Sequence, residues 1–216
     1  MMNTKSIRVL LADDHAMVRE GLAGILQDSS GIEVVGQAGD GAEALKLTME
    51  LNPDVAVLDY TMPIMDGPVV IEKILEKRPS TRILILTVHE NIHYAVKVLE
   101  TGAHGFVIKA DAAEELIKGI RAVHNGKVYI SQVISEKMLQ NMNLTKSERV
   151  GVQSLSRREF QLLRNLGAGK RLQECARIMN ISESTASTYR TRLMEKLGLT
   201  TTAELIRFAL ENGIIG

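Results

Sequence analysis

Residues 55 to 59 read Val-Ala-Val-Leu-Asp, a short apolar run that ends in an acid. A run of this kind is typical of a strand buried on both faces of a parallel sheet. The pattern recurs along the first half of the chain, with amphipathic segments between the runs. The predicted strands are Ile7–Ala12, Glu33–Ala38, Val55–Leu58, Ile83–Thr87 and Gly105–Ile108, and the predicted helices are Val18–Gln27, Ala42–Leu51, Val69–Glu76, Ile92–Glu100 and Ala112–Val123. This alternation predicts an α/β flavodoxin-like domain with five parallel strands in the order 2-1-3-4-5.

Polar side chains stand where four of the predicted strands end. Asp13 and Asp14 follow the first strand, and Asp59 follows the third. Thr87 and Lys109 stand at the ends of the fourth and fifth. Because the carboxyl ends of parallel strands form the ligand-binding edge of an open sheet, we expect these five residues to converge. Each alone is explained as a helix cap, a backbone contact or a surface charge, but their joint placement favours a site.

The residue types at this edge indicate phosphoryl chemistry. Three carboxylates brought together repel each other unless a cation lies among them. Ligation by oxygen atoms alone favours Mg²⁺ or a similar hard ion. Lys109 and Thr87 then fit as a cation and a hydroxyl donor directed at an incoming phosphoryl group. A carboxylate beside such a metal can accept that group and form an acyl phosphate.

The formal net charge of zero hides a difference between the two halves of the chain. Residues 1 to 125 hold 12 Lys and Arg against 18 Asp and Glu, whereas residues 126 to 216 hold 14 against 8. A basic second half favours a polyanion partner. We expect one domain over residues 1–125, a short helix and linker over 126–152, and a second domain over 153–216, with the chain most flexible over 142–153.

The second domain is predicted to be all-α, with four helices. Ser156 starts a capping box with Glu159, and a tight turn separates the second helix from the third, which begins at Ser182 or Ser184. This arrangement favours a helix-turn-helix unit whose later helix enters the major groove of DNA. The candidate DNA contacts on that helix are Ser184, Thr185, Ser187, Thr188, Tyr189, Arg190 and Arg192. On charge alone, the basic solvent face of any amphipathic bundle is an equal explanation.

Four strings of the first domain resemble the signature blocks of response regulator receiver domains, over residues 7 to 124. They are Leu-Leu-Ala-Asp-Asp-His (10 to 15), Leu-Asp-Tyr-Thr-Met-Pro-Ile-Met-Asp-Gly (58 to 67), Ile-Leu-Thr-Val (85 to 88) and Gly-Ala-His-Gly-Phe-Val-Ile-Lys (102 to 109). The resemblance implies that Asp59 is the phosphoacceptor, and that Asp13, Asp14, Asp59 and the backbone carbonyl of Thr61 hold Mg²⁺. It also implies that Thr87 and Lys109 contact the phosphoryl group. Phe106 occupies the position of the family's aromatic switch residue, and Ala110 stands where the family often has proline.

Residues 153 to 214 resemble the LuxR-type domain of the NarL/FixJ class. The strings that carry this resemblance are Leu-Ser-Arg-Arg-Glu (155 to 159), Ile-Ser-Glu-Ser-Thr (181 to 185) and Lys-Leu-Gly-Leu (196 to 199). The class often has Val-Lys where this chain has Ala186-Ser187, so its base preference is not inferred from relatives. The resemblance implies a dimer contact on the fourth helix, for which we predict Leu205, Phe208 and Ala209.

Together these resemblances imply a two-component response regulator in which phosphorylation of Asp59 controls DNA binding and transcription. The implied partners are a sensor histidine kinase, DNA with paired half-sites, and a second copy of the chain. One cysteine fits a reducing cytoplasm, and no apolar stretch is long enough for a membrane span. One alternative is a phosphatase that forms an aspartyl phosphate. Such enzymes carry a second acid where this chain has Thr61, which disfavours it. The other alternative is a receiver that only docks a protein or dimerises, without phosphorylation.

Overall fold

A computed structural model of the protein describes residues 6–142 and 151–215. The chain divides into two compact units after Lys137. Most of the segment that we predicted to be flexible, residues 142–153, lies outside the described residues. In the described part of the chain, no helix combines the length and the apolar character needed to cross a bilayer.

The first unit is built on a six-stranded sheet in the order β2-β1-β3-β4-β5-β6, and every pair of neighbouring strands is parallel. The strands are β1 (Ile7–Ala12), β2 (Ile32–Ala38), β3 (Val55–Asp59), β4 (Arg82–Thr87), β5 (Gly105–Ile108) and β6 (Tyr129–Ile130). The predicted order of the first five strands is confirmed. Their predicted bounds agree to within one residue, because long apolar runs give a strong strand signal.

Six helices accompany this sheet, five of them between its strands. They are α1 (Ala16–Gln27), α2 (Gly41–Leu51), α3 (Gly67–Lys77), α4 (Ile92–Glu100), α5 (Ala112–His124) and α6 (Gln132–Met142). One apolar layer joins Leu26 of α1 and Ile120 of α5 to Val9, Val57 and other strand residues. Since side chains alternate across a strand, α2, α3 and α4 cover the opposite face. Helices on both faces make this the doubly wound architecture that the sequence predicted.

The sixth strand is a feature that the sequence analysis missed. Tyr129 and Ile130 pair in parallel with Gly105 and Phe106 of β5. A strand of two residues is too short to show a period, and we had assigned this stretch to a short helix and linker. The helix exists as α6, but it begins only after β6 has extended the sheet.

One glycine sets the close packing of the loop after β3. A side-chain carbon at Gly41, the first residue of α2, would collide with the backbone carbonyl of Met65. The Gly41 amide also donates to the carbonyl of Pro63 at 3.4 Å. The start of α2 therefore holds the loop that follows Asp59 in place.

The second unit contains four described helices in addition to the end of α6. They are α7 (Arg157–Gly167), α8 (Leu172–Ile178), α9 (Glu183–Leu197) and α10 (Thr202–Glu211). Ser182 caps α9 by accepting a hydrogen bond from the Thr185 amide, and Gly198 ends the helix in the left-handed conformation. The predicted all-α domain is thus confirmed, with the turn at Asn180 (φ 54°) between α8 and α9.

An ion pair between the buried Glu159 and the exposed Lys196 joins the start of α7 to the end of α9. Ser156 and Glu159 form the predicted capping box, and the Glu159 carboxylate also lies 2.7 Å from Lys196 Nζ. Lys196 Nζ donates to the Ser154 carbonyl as well. Burial alone would raise the pKa of Glu159, but hydrogen bonds from Lys196 and Ser156 outweigh it and lower the pKa. The ionised carboxylate therefore stabilises the fold.

We expect Glu159→Gln to lower the free energy of unfolding of the second unit by about 1 kcal/mol at neutral pH, because the amide keeps the cap but loses the ion pair. A lowered pKa gives stability that is present above the unfolded value and is lost as pH falls through the folded value. The difference between the two proteins should therefore vanish in acid. Hydrogen exchange of the α7 amides over a pH series measures it.

Glu204→Gln is the matched control. Glu204 forms the second capping box, with Thr201, and the Thr200 and Thr201 amides bind its carboxylate. The substitution again keeps the cap. If Glu204→Gln destabilises the unit as much as Glu159→Gln does, the ion pair is not the cause.

Candidate functional site

The carboxyl edge of the sheet brings together the acids and the lysine predicted to meet there. Lys109 Nζ lies 2.6 Å from Asp13 Oδ2 and 2.6 Å from Asp59 Oδ2. Asp59 ends β3, the central strand, and β1 on one side carries Asp13 just beyond its end. Residues 96 positions apart thus meet because parallel strands end at one level.

Burial makes the charges of this cluster interdependent. Asp13 and Asp59 are almost fully buried. Desolvation raises the pKa of Asp59, and the nearby charge of Asp13 raises it too, while Lys109 acts in the opposite direction. For Lys109, burial disfavours the charged form, but hydrogen bonds and charge interactions with Asp13 and Asp59 prevail and raise its pKa. The lysine therefore stays protonated between the two acids.

The donor atoms of the cluster fit a metal ion. Ligand atoms of Asp13, Asp14, His15 and Asp59 all lie within 4.8 Å of one another. Asp13 Oδ2 is buried and lies 2.6 Å from Lys109 Nζ, an approach that pairs the two charges and still leaves the oxygen with a free lone pair. Carboxylate oxygens with unsatisfied lone pairs suit a hard divalent cation. His15, which we had not predicted, lies at the rim, with Nδ1 2.8 Å from Asp14 Oδ1.

The remaining predicted residues lie in the loop after β3 and on strands β4 and β5 or just beyond them. The Thr61 amide donates to Asp59 Oδ1 at 3.3 Å. Thr87 lies one residue beyond Leu86, the register partner of Asp59 on β4, and its hydroxyl accepts from the His89 amide at 3.2 Å. Phe106 is fully buried in β5. The bond between Lys109 and Ala110 is trans, like every peptide bond of the described residues.

Three aromatic rings form a cluster beside the site that the sequence analysis did not identify. His89 stacks on Tyr94, with ring centroids 4.4 Å apart, and Tyr60 meets Tyr94 edge-on at 4.7 Å. Tyr60 directly follows Asp59, and His89 is held to Thr87 by its amide. The loops after β3 and β4 are thus connected through α4, which carries Tyr94.

On α9, the predicted DNA contacts lie on two different parts of the helix surface. Ser184, Ser187, Thr188 and Arg192 are exposed, whereas Thr185, Tyr189 and Arg190 are half-buried at its sides. Arg190 donates to Thr202 Oγ1 at 3.2 Å. Ala186 and Leu193 form the buried side. Of the seven predicted contacts, four are therefore exposed on the outward face of the helix.

Thr191 is an exposed residue of this face that the sequence analysis left out. It lies three positions after Thr188 and seven after Ser184, so the three residues share one side of the helix. The signal was available in this spacing. We had counted residues along the sequence rather than around the helix.

The predicted dimer contact on α10 needs a correction. Leu205 and Ala209 are fully buried inside the unit, and Ala209 packs closely on Gly167 of α7. Side chains of the domain core are not available to a second chain. We therefore withdraw these two residues from the predicted contact and keep Phe208, which is half-buried. Leu210, an exposed residue of α10 that was not predicted, is a further candidate.

Two known families match the chain. Residues 9–121 match the response regulator receiver domain, and residues 153–209 match the bacterial regulatory proteins of the luxR family. The two matches fall in the two structural units. They cover the acidic cluster and α9, respectively.

Individual proteins match over nearly the full length. The response regulator GacA of Pseudomonas aeruginosa is 34% identical over 209 residues, which cover 97% of this chain and 98% of GacA. The structure of RcsB from Salmonella enterica serovar Typhimurium, bound to promoter rprA in the presence of phosphomimetic BeF₃⁻, has a TM-score of 0.76 at 26% identity and covers 94% of this chain and 98% of RcsB. A second structure, of two RcsB dimers bound to two parallel DNAs, has a TM-score of 0.61 at 27% identity and covers 96% of this chain and 99% of RcsB. The chain belongs to the response regulators that join a receiver domain to a LuxR-type DNA-binding domain, a family of two-component transcriptional regulators and not of turnover enzymes.

Proposed function

We propose that Asp59 is the phosphoacceptor of this response regulator and that its phosphorylation controls DNA binding by α9. One observation carries the proposal: Lys109 Nζ lies 2.6 Å from both Asp59 Oδ2 and Asp13 Oδ2 at the rim of a buried acidic cluster. From this position, the lysine can pair with the Asp59 carboxylate before phosphorylation and with a phosphoryl oxygen after it. The receiver function would reside in residues 1–125 and DNA binding in residues 153–216.

The reaction transfers a phosphoryl group from the phosphohistidine of a sensor kinase. A carboxylate oxygen of Asp59 attacks phosphorus, a P–O bond forms, and the P–N bond to the histidine breaks as the imidazole leaves. Lys109 stabilises the added negative charge, and the Thr87 hydroxyl, released from the His89 amide, donates to a phosphoryl oxygen. Movement of Thr87 would shift the loop after β4. Phe106, which is buried in the adjacent strand β5, would be the switch residue that moves with it.

Mg²⁺ is the cofactor that the donor set suits best. Asp13, Asp14, Asp59 and the backbone carbonyl of Thr61 would hold it. When bound, the ion neutralises charge on the transferred phosphoryl group. The charge of the cluster supports this assignment, because Asp13 and Asp59 are two buried carboxylates that share one lysine.

The output is proposed to be a dimer on paired half-sites in DNA. The outward face of α9 carries hydroxyl side chains and Arg192, which suit base edges and phosphate. The structures of RcsB with DNA and as dimers on DNA support the same geometry here. Phe208 and Leu210 of α10 are the candidate dimer contact. A regulator that binds the bacterial chromosome acts in the cytoplasm.

The phosphoacceptor is tested by labelling with radioactive acetyl phosphate and Mg²⁺. The wild type should take up a label that hydroxylamine removes, as expected for an acyl phosphate, and Asp59→Asn should take up none, because an amide is not a nucleophile for this transfer. Asp54→Asn is the matched control, since Asp54 lies just before β3 at its other end.

Uptake of equal label by the wild type and Asp59→Asn would refute Asp59 as the acceptor. Label on neither protein would favour a receiver that only docks or dimerises. The same proteins, assayed for DNA binding before and after treatment, should show a phosphorylation-dependent gain in the wild type and none in Asp59→Asn.

Mg²⁺ should raise the unfolding temperature of the wild type but not that of Asp13→Asn. At ten times its dissociation constant, a ligand that binds only the folded state adds about 1.4 kcal/mol to stability. Differential scanning calorimetry with and without Mg²⁺ measures the shift. Glu33→Gln, which removes an exposed carboxylate of β2 away from the cluster, should keep the wild-type response. A full response in Asp13→Asn would argue against this metal site.

Arg192→Ala should weaken binding to DNA of every sequence and reduce the slope of log affinity against log salt by about one, because one phosphate contact is lost. Titrations of labelled duplex at several salt concentrations give the slope. Arg207→Ala is the control, as Arg207 is an exposed arginine of α10. Equal slopes for the two variants would remove Arg192 from the interface.

A further inference from the structure

The outward face of α9 is dominated by small hydroxyl residues. Ser184, Ser187, Thr188 and Thr191 are all exposed there, over two turns of the helix. The exposed charged residues of α9 lie toward its two ends and are Glu183, Arg192, Glu195 and Lys196. Arg190 is turned to one side and donates to Thr202. The centre of the face is thus formed by side chains that carry no charge.

The two threonine hydroxyls of this face are bonded to the helix itself. Thr188 Oγ1 donates to the Ser184 carbonyl at 3.1 Å, and Thr191 Oγ1 donates to the Ser187 carbonyl at 3.2 Å. A hydroxyl has one hydrogen, so each is already used. These bonds also restrict the rotation of the β-branched side chains.

These hydrogen bonds determine which groups Thr188 and Thr191 can offer to a partner. An exposed threonine whose hydroxyl hydrogen is bonded to its own helix offers a partner its methyl group and an oxygen that can only accept. In the major groove, the apolar feature that distinguishes one base from all others is the C5-methyl group of thymine. A threonine methyl is a suitable partner for it.

We propose that Thr188 and Thr191 are specificity-determining residues that recognise the C5-methyl groups of thymines. The inference rests on the proposed entry of α9 into the major groove. Residues three apart on a helix have Cβ atoms about 5 to 6 Å apart, a distance that spans one to two base-pair steps. Each half-site therefore contains two thymines that are adjacent or separated by one base pair.

The test uses the full-length protein, phosphorylated with acetyl phosphate, and a duplex that this protein selects from a random DNA library. The duplex is made again with deoxyuridine in place of thymidine, which removes only the C5-methyl groups. The wild type should bind the uracil duplex at least about fourfold more weakly, since one buried methyl group is worth about that factor.

Substitutions in the protein complete a double-mutant cycle. Thr188→Ser with Thr191→Ser removes both methyl groups and keeps the hydroxyls, so the preference for thymine over uracil should fall to near one. Thr188→Val with Thr191→Val keeps a methyl at each position and should retain the preference. Arg207→Ala, which changes an exposed residue of α10 outside the proposed contact face, should also leave it unchanged.

The outcomes separate this inference from the proposed function. Equal binding of thymine and uracil duplexes by the wild type, or an unchanged preference in the double serine variant, overturns the inference while leaving DNA binding intact. Failure of the wild type to select any duplex overturns the proposed function, and the inference with it.

Discussion

The central constraint on the first unit is the repulsion among the carboxylates at the carboxyl edge of its sheet. Three carboxylates, on Asp13, Asp14 and Asp59, meet where strands β1 and β3 end, and Lys109 from β5 supplies one positive charge. With all four groups ionised, the cluster keeps a formal charge of about −2, the charge that one divalent cation offsets. The same balance would make the site responsive to the proposed phosphorylation, because a phosphoryl group on Asp59 would add negative charge to a cluster that holds one lysine.

The loop after β4 connects the strand end beside the acidic cluster to helices α4 and α6. Its Thr87 hydroxyl is bound by the His89 amide, and the His89 ring stacks on Tyr94 of α4. The next residue, Glu90, accepts from Lys137 of α6 through both its carboxylate (3.0 Å) and its carbonyl. The proposed shift of Thr87 toward Asp59 would therefore disturb α4 and α6 together, since both helices contact His89 or Glu90. The ion pair between Glu90 and Lys137 is exposed and contributes little stability, so breaking it would cost little free energy.

The accuracy of the sequence analysis followed the strength of the periodic signals. Five strands and the cluster of Asp13, Asp59 and Lys109 could be predicted, because buried runs are long and parallel strands bring their ends to one level. Strand β6 was missed because two residues show no period. The stacking of His89 on Tyr94 was missed because nothing in the sequence marks two rings of different elements as neighbours.

The error on α10 has a different physical origin. An apolar stripe on a helix records that one side is buried, but not whether its own domain or a partner covers it. Leu205 and Ala209 are covered by their own domain. On α9, the outward face carries mainly hydroxyls together with Arg192, so most of the nonspecific attraction to phosphate would have to come from other residues. Arg171 and Arg177 are exposed in and beside α8, the helix that precedes the turn. In the proposed complex, such residues would supply most of the affinity. The hydroxyl residues of α9, whose ends are fixed by Ser182 and by the pair of Lys196 with Glu159, would then distinguish the bases.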